Sequence, residues 1–303
     1  LVRKRKKRKL SNVLRRLKSS FQTRLLDASY RLHSFSLRNR VVQEATPYQA
    51  QIIEDLKTEG VHVTTVDRLL SESARTAILH ASEFIREPST LGDPALWRMG
   101  DSSHDIHAAA LLEKAPGAYL LGLETSILSL ARLYIRQPVA YHGAVIRRSL
   151  VDGRDLGTRL WHQDAEDFNV LRMVIYLNDV TSGGGPFEYI PRNSGLNYGL
   201  FGNAPGPLTN ERMKEVMPFD KWRRVMGSAG TVVLADTAKT FHHESMQTAR
   251  ERAVVMIGYT SQRPKARDVA MRHFPVESVK PALLRIVPEE NHAHVFGWRR
   301  PAT

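Results

Sequence analysis

The sequence predicts an α+β chain, with a β core of barrel or jelly-roll kind and supporting helices mainly from the N-terminal half. Three observations predict it. Residues 47–135 carry helix-like periodicity and helix stop signals. From residue 139 onward come short strand-like stretches: "VAYHGAVIRRSLV", "TRLWHQD", "VLRMVIYLNDV", "PFEYIP", "GTVVLAD" and "RAVVMIGYTS". Turn signals separate them at Asp152-Gly153, Gly183-Gly184-Gly185-Pro186 and Asn193-Ser194-Gly195. Many short strands after an α-rich first half indicate an all-β core with helical support.

The chain of 303 residues is 42% hydrophobic, enough for one large core or two modest ones. No apolar run approaches the ~20 residues a membrane-spanning helix needs, and no signal-peptide block is visible. The expectation is a soluble, cytoplasmic protein, with organellar targeting or peripheral membrane association open through the N-terminus. Cysteine is absent, which excludes disulfides, thiolate metal sites and a cysteine nucleophile.

The formal charge of +13 is confined to one end. Residues 1–40 hold 14 Lys and Arg against a single acid, Asp27, and the rest of the chain is balanced. Seven consecutive cations run from Arg3 to Lys9. After them Leu10, Val13, Leu14, Leu17, Phe21 and Leu25 form one apolar stripe at helical spacing. Residues 1–45 therefore read as a basic arm. It could dock on an anionic membrane surface or nucleic acid, serve as a targeting segment, or pack on its own domain behind a solvated tail. Residues 46–303 read as the main domain.

Within that domain the chain predicts a helix from Pro47 stopped at Gly60, a strand over Val61–Thr65, and helix over 67–87. Residues 88–110, broken by Pro88, Gly92, Pro94 and Gly100, read as loop. A long helix is expected from about Gly117 to Ile135. Residues 196–227, with Tyr198, Phe201, Phe219 and Trp222 among charges, read as a lid or a surface helix-loop. "ENHAHVFGWRRPAT" reads as a solvated terminus, and His104 and His107 as loop residues that could face substrate.

The chemistry concentrates in "RLWHQDAEDFNV". On a strand, His162 and Asp164 project to the same side, so one imidazole and one carboxylate can take adjacent positions on a metal ion. "ADTAKTFHHES", after another strand, offers His242 or His243 as a third ligand. Two histidines and one carboxylate leave three open positions on an octahedral metal, the facial arrangement of non-haem Fe(II) oxygenases. From Asp164 to His242 there is room for four or five strands. A cation, Arg250 or Arg252, follows at the start of the next strand and could bind a carboxylate through paired hydrogen bonds. Trp161, Phe168 and Phe241 flank the ligands and could supply an apolar shell or ordinary core.

Taken together, "WHQD…VIYLNDVTSGGGPFEYIPRNSG…GTVVLADTAKTFHHES…ERAVVMIGYTS" resembles the phytanoyl-CoA dioxygenase family of Fe(II)/2-oxoglutarate oxygenases, over residues 138–262. The resemblance implies a double-stranded β-helix (a cupin-like jelly roll). It implies iron held by His162, Asp164 and a distal histidine. It also implies an arginine about ten residues later that grips the far carboxylate of 2-oxoglutarate, with O2 as the other cosubstrate. Counting from Asp236 places the distal histidine at His242, with His243 as the alternative. Arg252 fits the arginine's spacing. Glu244-Ser245 departs from the family's Gly-Ser, and Pro191-Arg192-Asn193-Ser194 replaces its usual turn. Because the carboxylate ligand is present, the resemblance implies hydroxylation of a small-molecule or lipid-like substrate, with succinate and CO2 released, rather than halogenation. The competing reading is a catalytically silent scaffold acting through its basic arm.

Overall fold

A computed structural model of the protein describes residues 44–100, 102–202 and 206–299. The basic arm lies outside the described residues, apart from its last two. The first helix, Pro47–Thr58, starts on a capping box: the Thr46 hydroxyl accepts from Gln49 N, and Gln49 reaches back to Thr46 N. Pro47 has no N–H to strand at the first turn. The helix ends at Gly60, whose φ of +85° turns the chain directly into strand β1, Val61–Thr65.

The predicted helix over 67–87 is two pieces, Val66–Leu69 and Glu72–Arg86, separated where Ser71 caps the second. The stretch 88–110 is not the loop that its prolines and glycines suggest. It contains the short helix Pro88–Gly92 and an antiparallel hairpin of β2 (Trp97–Met99) and β3 (Ser103–Ile106), paired through Trp97↔Ile106. The hairpin is held because β3 adds to the edge of the main sheet, with Asp105 opposite Arg147. The long helix expected at 117–135 is also broken. Pro116–Leu120 and Thr125–Ile135 flank a tight 3-10 turn where Tyr141 packs so closely on Gly122 that a Cβ would sit 2.7 Å from its ring.

Seven strands then complete the framework: β4 (Val139–Ser149), β5 (Leu171–Tyr176), β6 (Phe187–Tyr189), β7 (Arg223–Val225), β8 (Thr231–Asp236), β9 (His242–Glu244) and β10 (Arg252–Ser261), with β1 joining at one edge. One antiparallel sheet has the order β1-β8-β5-β10-β4-β3-β2, and a smaller one has the order β7-β6-β9. An antiparallel bridge between His162 and His242 extends the smaller sheet by the segment around residue 162. Two facing sheets whose strands alternate between them make a double-stranded β-helix, as expected. The strands β7 and β9 were not expected, because "RRV" and "HHE" are too short to show alternation, and the stretch expected as a strand at "TRLWHQD" is a 3-10 turn followed by isolated bridges at Trp161 and His162.

Alternation divides the large sheet's side chains. Met173, Ile175, Val255, Ile257 and Tyr259 face the helices and join the largest buried cluster. Val174, Tyr176, Val233, Ala235 and Val254 face the smaller sheet and pack with Phe187 and Val225. Residues 196–202 and 206–222 cover the smaller sheet's outer side, with Phe201 and Trp222 buried against Trp161 and Phe241. The C-terminal stretch is not a solvated terminus: Val295 and Trp298 are buried, and His294 Nδ1 donates to Val139 O at 2.7 Å. A short segment bearing two histidines hid its apolar contacts from composition.

No single described helix is long and apolar enough to cross a membrane. Gly60 ties this scaffold to the turn preceding β9. Its carbonyl accepts from Asp236 N at 2.9 Å, and a Cβ on it would meet Thr240 Oγ1 at 2.1 Å. We predict that Gly60→Ala lowers unfolding free energy by about 2 kcal/mol, from the positive φ and the displaced Thr240, measured by denaturant titration.

Candidate metal centre

Two sequence-distant strands place the candidate ligands. His162 and His242 are directly opposite residues of an antiparallel pair: His162 N donates to His242 O and His242 N to His162 O, each at 3.0 Å. Such a pair sends both side chains to the same face of the ladder, and the imidazole centroids are 4.4 Å apart. Asp164, two residues on, shares that face, and its N–H donates to Thr237 O at 2.8 Å. Asp236 begins the intervening turn. It is fully buried, its backbone carbonyl accepts from Thr240 N, and its carboxylate accepts from the Tyr134 hydroxyl. This bonding explains a "DTAKTFHH" spacing that the sequence displays without a reason.

Each imidazole is oriented by a backbone carbonyl. His162 Nδ1 faces Leu160 O at 2.7 Å, and His242 Nδ1 faces Thr240 O at 3.0 Å. Both Nδ1 atoms must carry the hydrogen, so both Nε2 atoms present a lone pair. Burial, then the neighbouring His162, pushes the pKa of His242 down to about 4, which keeps it in the neutral form that binds metal. One ligand atom from each of His162, Asp164 and His242 lies within 4.8 Å of the others. The His162 Nε2 to Asp164 Oδ1 separation is 3.7 Å. Adjacent ligands on an octahedral first-row ion stand about 3 Å apart, from bonds of about 2.1 Å, so a small contraction would close these groups on a cation. This is the only such His/Asp/Glu grouping among the described residues.

His243 faces elsewhere. Its Nδ1 meets Arg159 O and its Nε2 meets Glu188 Oε2, both at 2.7 Å, and its ring stacks on Trp161. Glu188 also accepts from Arg224. Strand alternation is the reason: His242 and His243 cannot share a face. Trp161 and Phe241 are buried on that outer side, where they pack with Trp222, Phe201 and Tyr198.

Arg172, which belongs to none of the motifs above, anchors the centre. Its Nε donates to Asp164 Oδ2 at 3.0 Å, and its Nη2 reaches both Glu166 and His273. Burial by itself would raise the Asp164 pKa, but Arg172, His242 and His162 outweigh it and hold the carboxyl below its ordinary range. With Oδ2 engaged, Oδ1 is the oxygen left facing His162. A lone cation inside "VLRMVIY" was the available signal: a charge on the buried face of a strand requires a partner. His273, in "MRHFP", carried no such signal.

Arg252 and its rival Arg250 separate clearly. Arg250 is exposed in the turn, whereas Arg252 is buried on β10 and faces the space between the sheets. Its guanidinium donates to Gly185 O and to the Glu244 carboxylate, while its Nε has no partner. A cavity of about 320 Å3 opens beside Asp164, with Gln163, Arg147, Met256, His273 and Arg98 among its walls. Arg147 and Arg98 both bind Asp105 there. The predicted lid residue Tyr198 sits over the motif, accepting from Gln163 N at 3.2 Å. Arg192 is half-buried in its turn, and His104 lies on β3.

No protein-family model and no curated protein matches the chain. Among solved structures, it is similar to the non-heme alpha ketoglutarate dependent epimerase SnoN from nogalamycin biosynthesis. One SnoN structure, in complex with Fe3+, alpha ketoglutarate and nogalamycin RO, is 16% identical with a TM-score of 0.52, covering 72% of this chain and 85% of that one. Another is 14% identical with a TM-score of 0.50, covering 72% and 84%. This likeness shows the shared fold.

We predict that Arg172→Gln weakens Co(II) or Ni(II) binding by about 10- to 100-fold, as loss of an outer-shell partner does, measured by calorimetric titration. Metal binding to the variant should also fall away at higher pH than in the parent, because Asp164 loses the cation that keeps it ionised.

Proposed function

We propose that the chain is an Fe(II)- and 2-oxoglutarate-dependent oxygenase of the phytanoyl-CoA dioxygenase type, hydroxylating a small or lipid-like molecule held in the cavity beside Asp164. Residues 46–303 would form the catalytic unit. The observation that carries this reading is the convergence of two tautomer-fixed imidazoles and one anchored carboxylate beside an open cavity. Their donor set, two nitrogens and one oxygen with no thiolate, suits a ferrous ion.

In this reading His162 Nε2, His242 Nε2 and Asp164 Oδ1 hold the metal. Ferrous iron and 2-oxoglutarate, when bound, supply the oxidising chemistry with O2, releasing succinate and CO2. The chain's own residues orient and shield. Arg172 keeps Asp164 ionised and aimed. The Leu160 and Thr240 carbonyls fix the imidazole tautomers. Arg252, buried and facing the space between the sheets, would take the far carboxylate of 2-oxoglutarate in the place that Glu244 now holds. Met256 and Val145 give the cavity an apolar wall that limits water near the reacting carbon. The cavity volume suits a small molecule. The SnoN structure contains Fe3+ and alpha ketoglutarate, which supports the cofactor assignment. A complete triad argues against a silent scaffold, because a retired site has no need for three converging ligands and their supporting bonds.

The test is spectroscopic and chemical. Anaerobic Fe(II) with 2-oxoglutarate should give a weak visible charge-transfer band that His162→Ala abolishes. Aerobic protein should then release succinate slowly without added substrate. Folded, iron-loaded protein showing neither band nor succinate would contradict the proposal.

A further inference from the structure

One group inside the barrel already does what a cosubstrate carboxylate would do. Glu244 and Arg252 are both almost fully buried, and Arg252 Nη2 donates to Glu244 Oε2 at 2.5 Å. The other Glu244 oxygen accepts from the side chain of Gln247, itself fully buried. Arg252 Nη1 donates to Gly185 O at 2.9 Å. Both oxygens of the carboxylate are therefore satisfied, and of the three guanidinium nitrogens only Nε has no partner.

The position of this pair relative to the metal centre gives it meaning. Glu244 lies two residues beyond His242 on β9, so it shares His242's face, one strand repeat of roughly 6.8 Å deeper. The far carboxylate of 2-oxoglutarate lies three carbon–carbon bonds beyond its keto carbon, a reach of the same order. A second carboxylate joining Arg252 while Glu244 remains would set two buried anions against one guanidinium, so the two compete for its N–H groups. The cavity beside Asp164 is consistent with this closure: its walls include Asp164 and Met256, and neither Glu244 nor Arg252.

We propose that Glu244 is an internal occupant of the cosubstrate carboxylate site, competing with the far carboxylate of a 2-oxo acid for Arg252 and so setting which 2-oxo acids bind. The inference rests on the oxygenase reading above and deepens it. Glu244 is a specificity-determining residue. It weakens selection for a dicarboxylic 2-oxo acid over a monocarboxylic one, because the Arg252 charge is already neutralised. Binding of 2-oxoglutarate competes with Glu244 for Arg252, whereas binding of pyruvate, which ends in a methyl group, does not.

The test is a cycle of two ligands against two side chains. Dissociation constants for 2-oxoglutarate and for pyruvate are measured on the Ni(II)-loaded full chain and on Glu244→Ala and Glu244→Gln. Removing Glu244 should tighten 2-oxoglutarate by about tenfold or more, the worth of a freed charge-assisted bond, and leave pyruvate unchanged. A 2-oxoglutarate-to-pyruvate ratio that is the same in all three proteins overturns the inference. If Ni(II) binds but neither acid binds any of the three, the oxygenase reading fails. The Glu244 assignment is then decided by melting: Glu244→Ala should melt below the parent and recover in acetate, which refills the carboxylate place. Failure of acetate to raise its Tm, with the parent unaffected, overturns that assignment too. Glu244→Gln preserves shape and keeps the comparison available should the alanine variant fold poorly.

Discussion

The structure depends on one backbone contact, the reciprocal pair of hydrogen bonds between His162 and His242. These residues are 80 positions apart, on two segments of the smaller sheet that four other strands separate in sequence. Two exchanged bonds fix register to the residue, and register fixes which side chains face inward. A slip of one residue would send His243 into the barrel in place of His242 and turn Glu244 out. The identity of the ligands and the orientation of Glu244 are thus set by the same pairing. What surrounds the pair serves to keep it: the buried turn at Asp236, the close packing of Gly60 on Thr240, and the helices that seal the other side of the large sheet.

A second layer of control is electrostatic. The centre brings together Asp164, Glu166, Arg172, His162, His242 and His273 in a mostly buried volume, where unpaired charge is costly. Arg172 resolves this by contacting both carboxylates, so that Asp164 stays ionised, while burial keeps His242 neutral. Deeper in the barrel Arg252 and Glu244 neutralise each other. The first arrangement leaves an acceptor facing the open space; the second leaves almost none. In the proposed reading, that contrast leaves the candidate metal centre ready to bind and the cosubstrate carboxylate place already filled.

Much of this was legible in the sequence. The turn signals and short β-rich stretches located five of the seven strands from residue 139 onward, and His162-x-Asp164 with the "DTAKTFHH" segment pointed to the candidate centre. Alternation on one strand explains why two of three ligands could be paired from sequence. It could not choose between His242 and His243, because the register of a remote strand is invisible locally. Nor could it choose between Arg250 and Arg252, which are two apart; only the start of β10 at Arg252 separates them. The hairpin at 97–106 and the buried C-terminal segment were missed because both are stabilised by the edge of the large sheet or the core beneath it, not by local propensity. Glu244 was visible as a departure from a small residue, but its pairing with Arg252 needed the fold.

The central claim is that His162, Asp164 and His242 converge on a single cation. Its most direct measurement is anomalous scattering at the iron edge from crystals grown anaerobically with Fe(II). The account predicts one strong peak within bonding distance of His162 Nε2, His242 Nε2 and Asp164 Oδ1, with His243 still bound to Glu188. A peak coordinated by His243, or fully folded, iron-equilibrated protein with no peak between these three side chains, would contradict it.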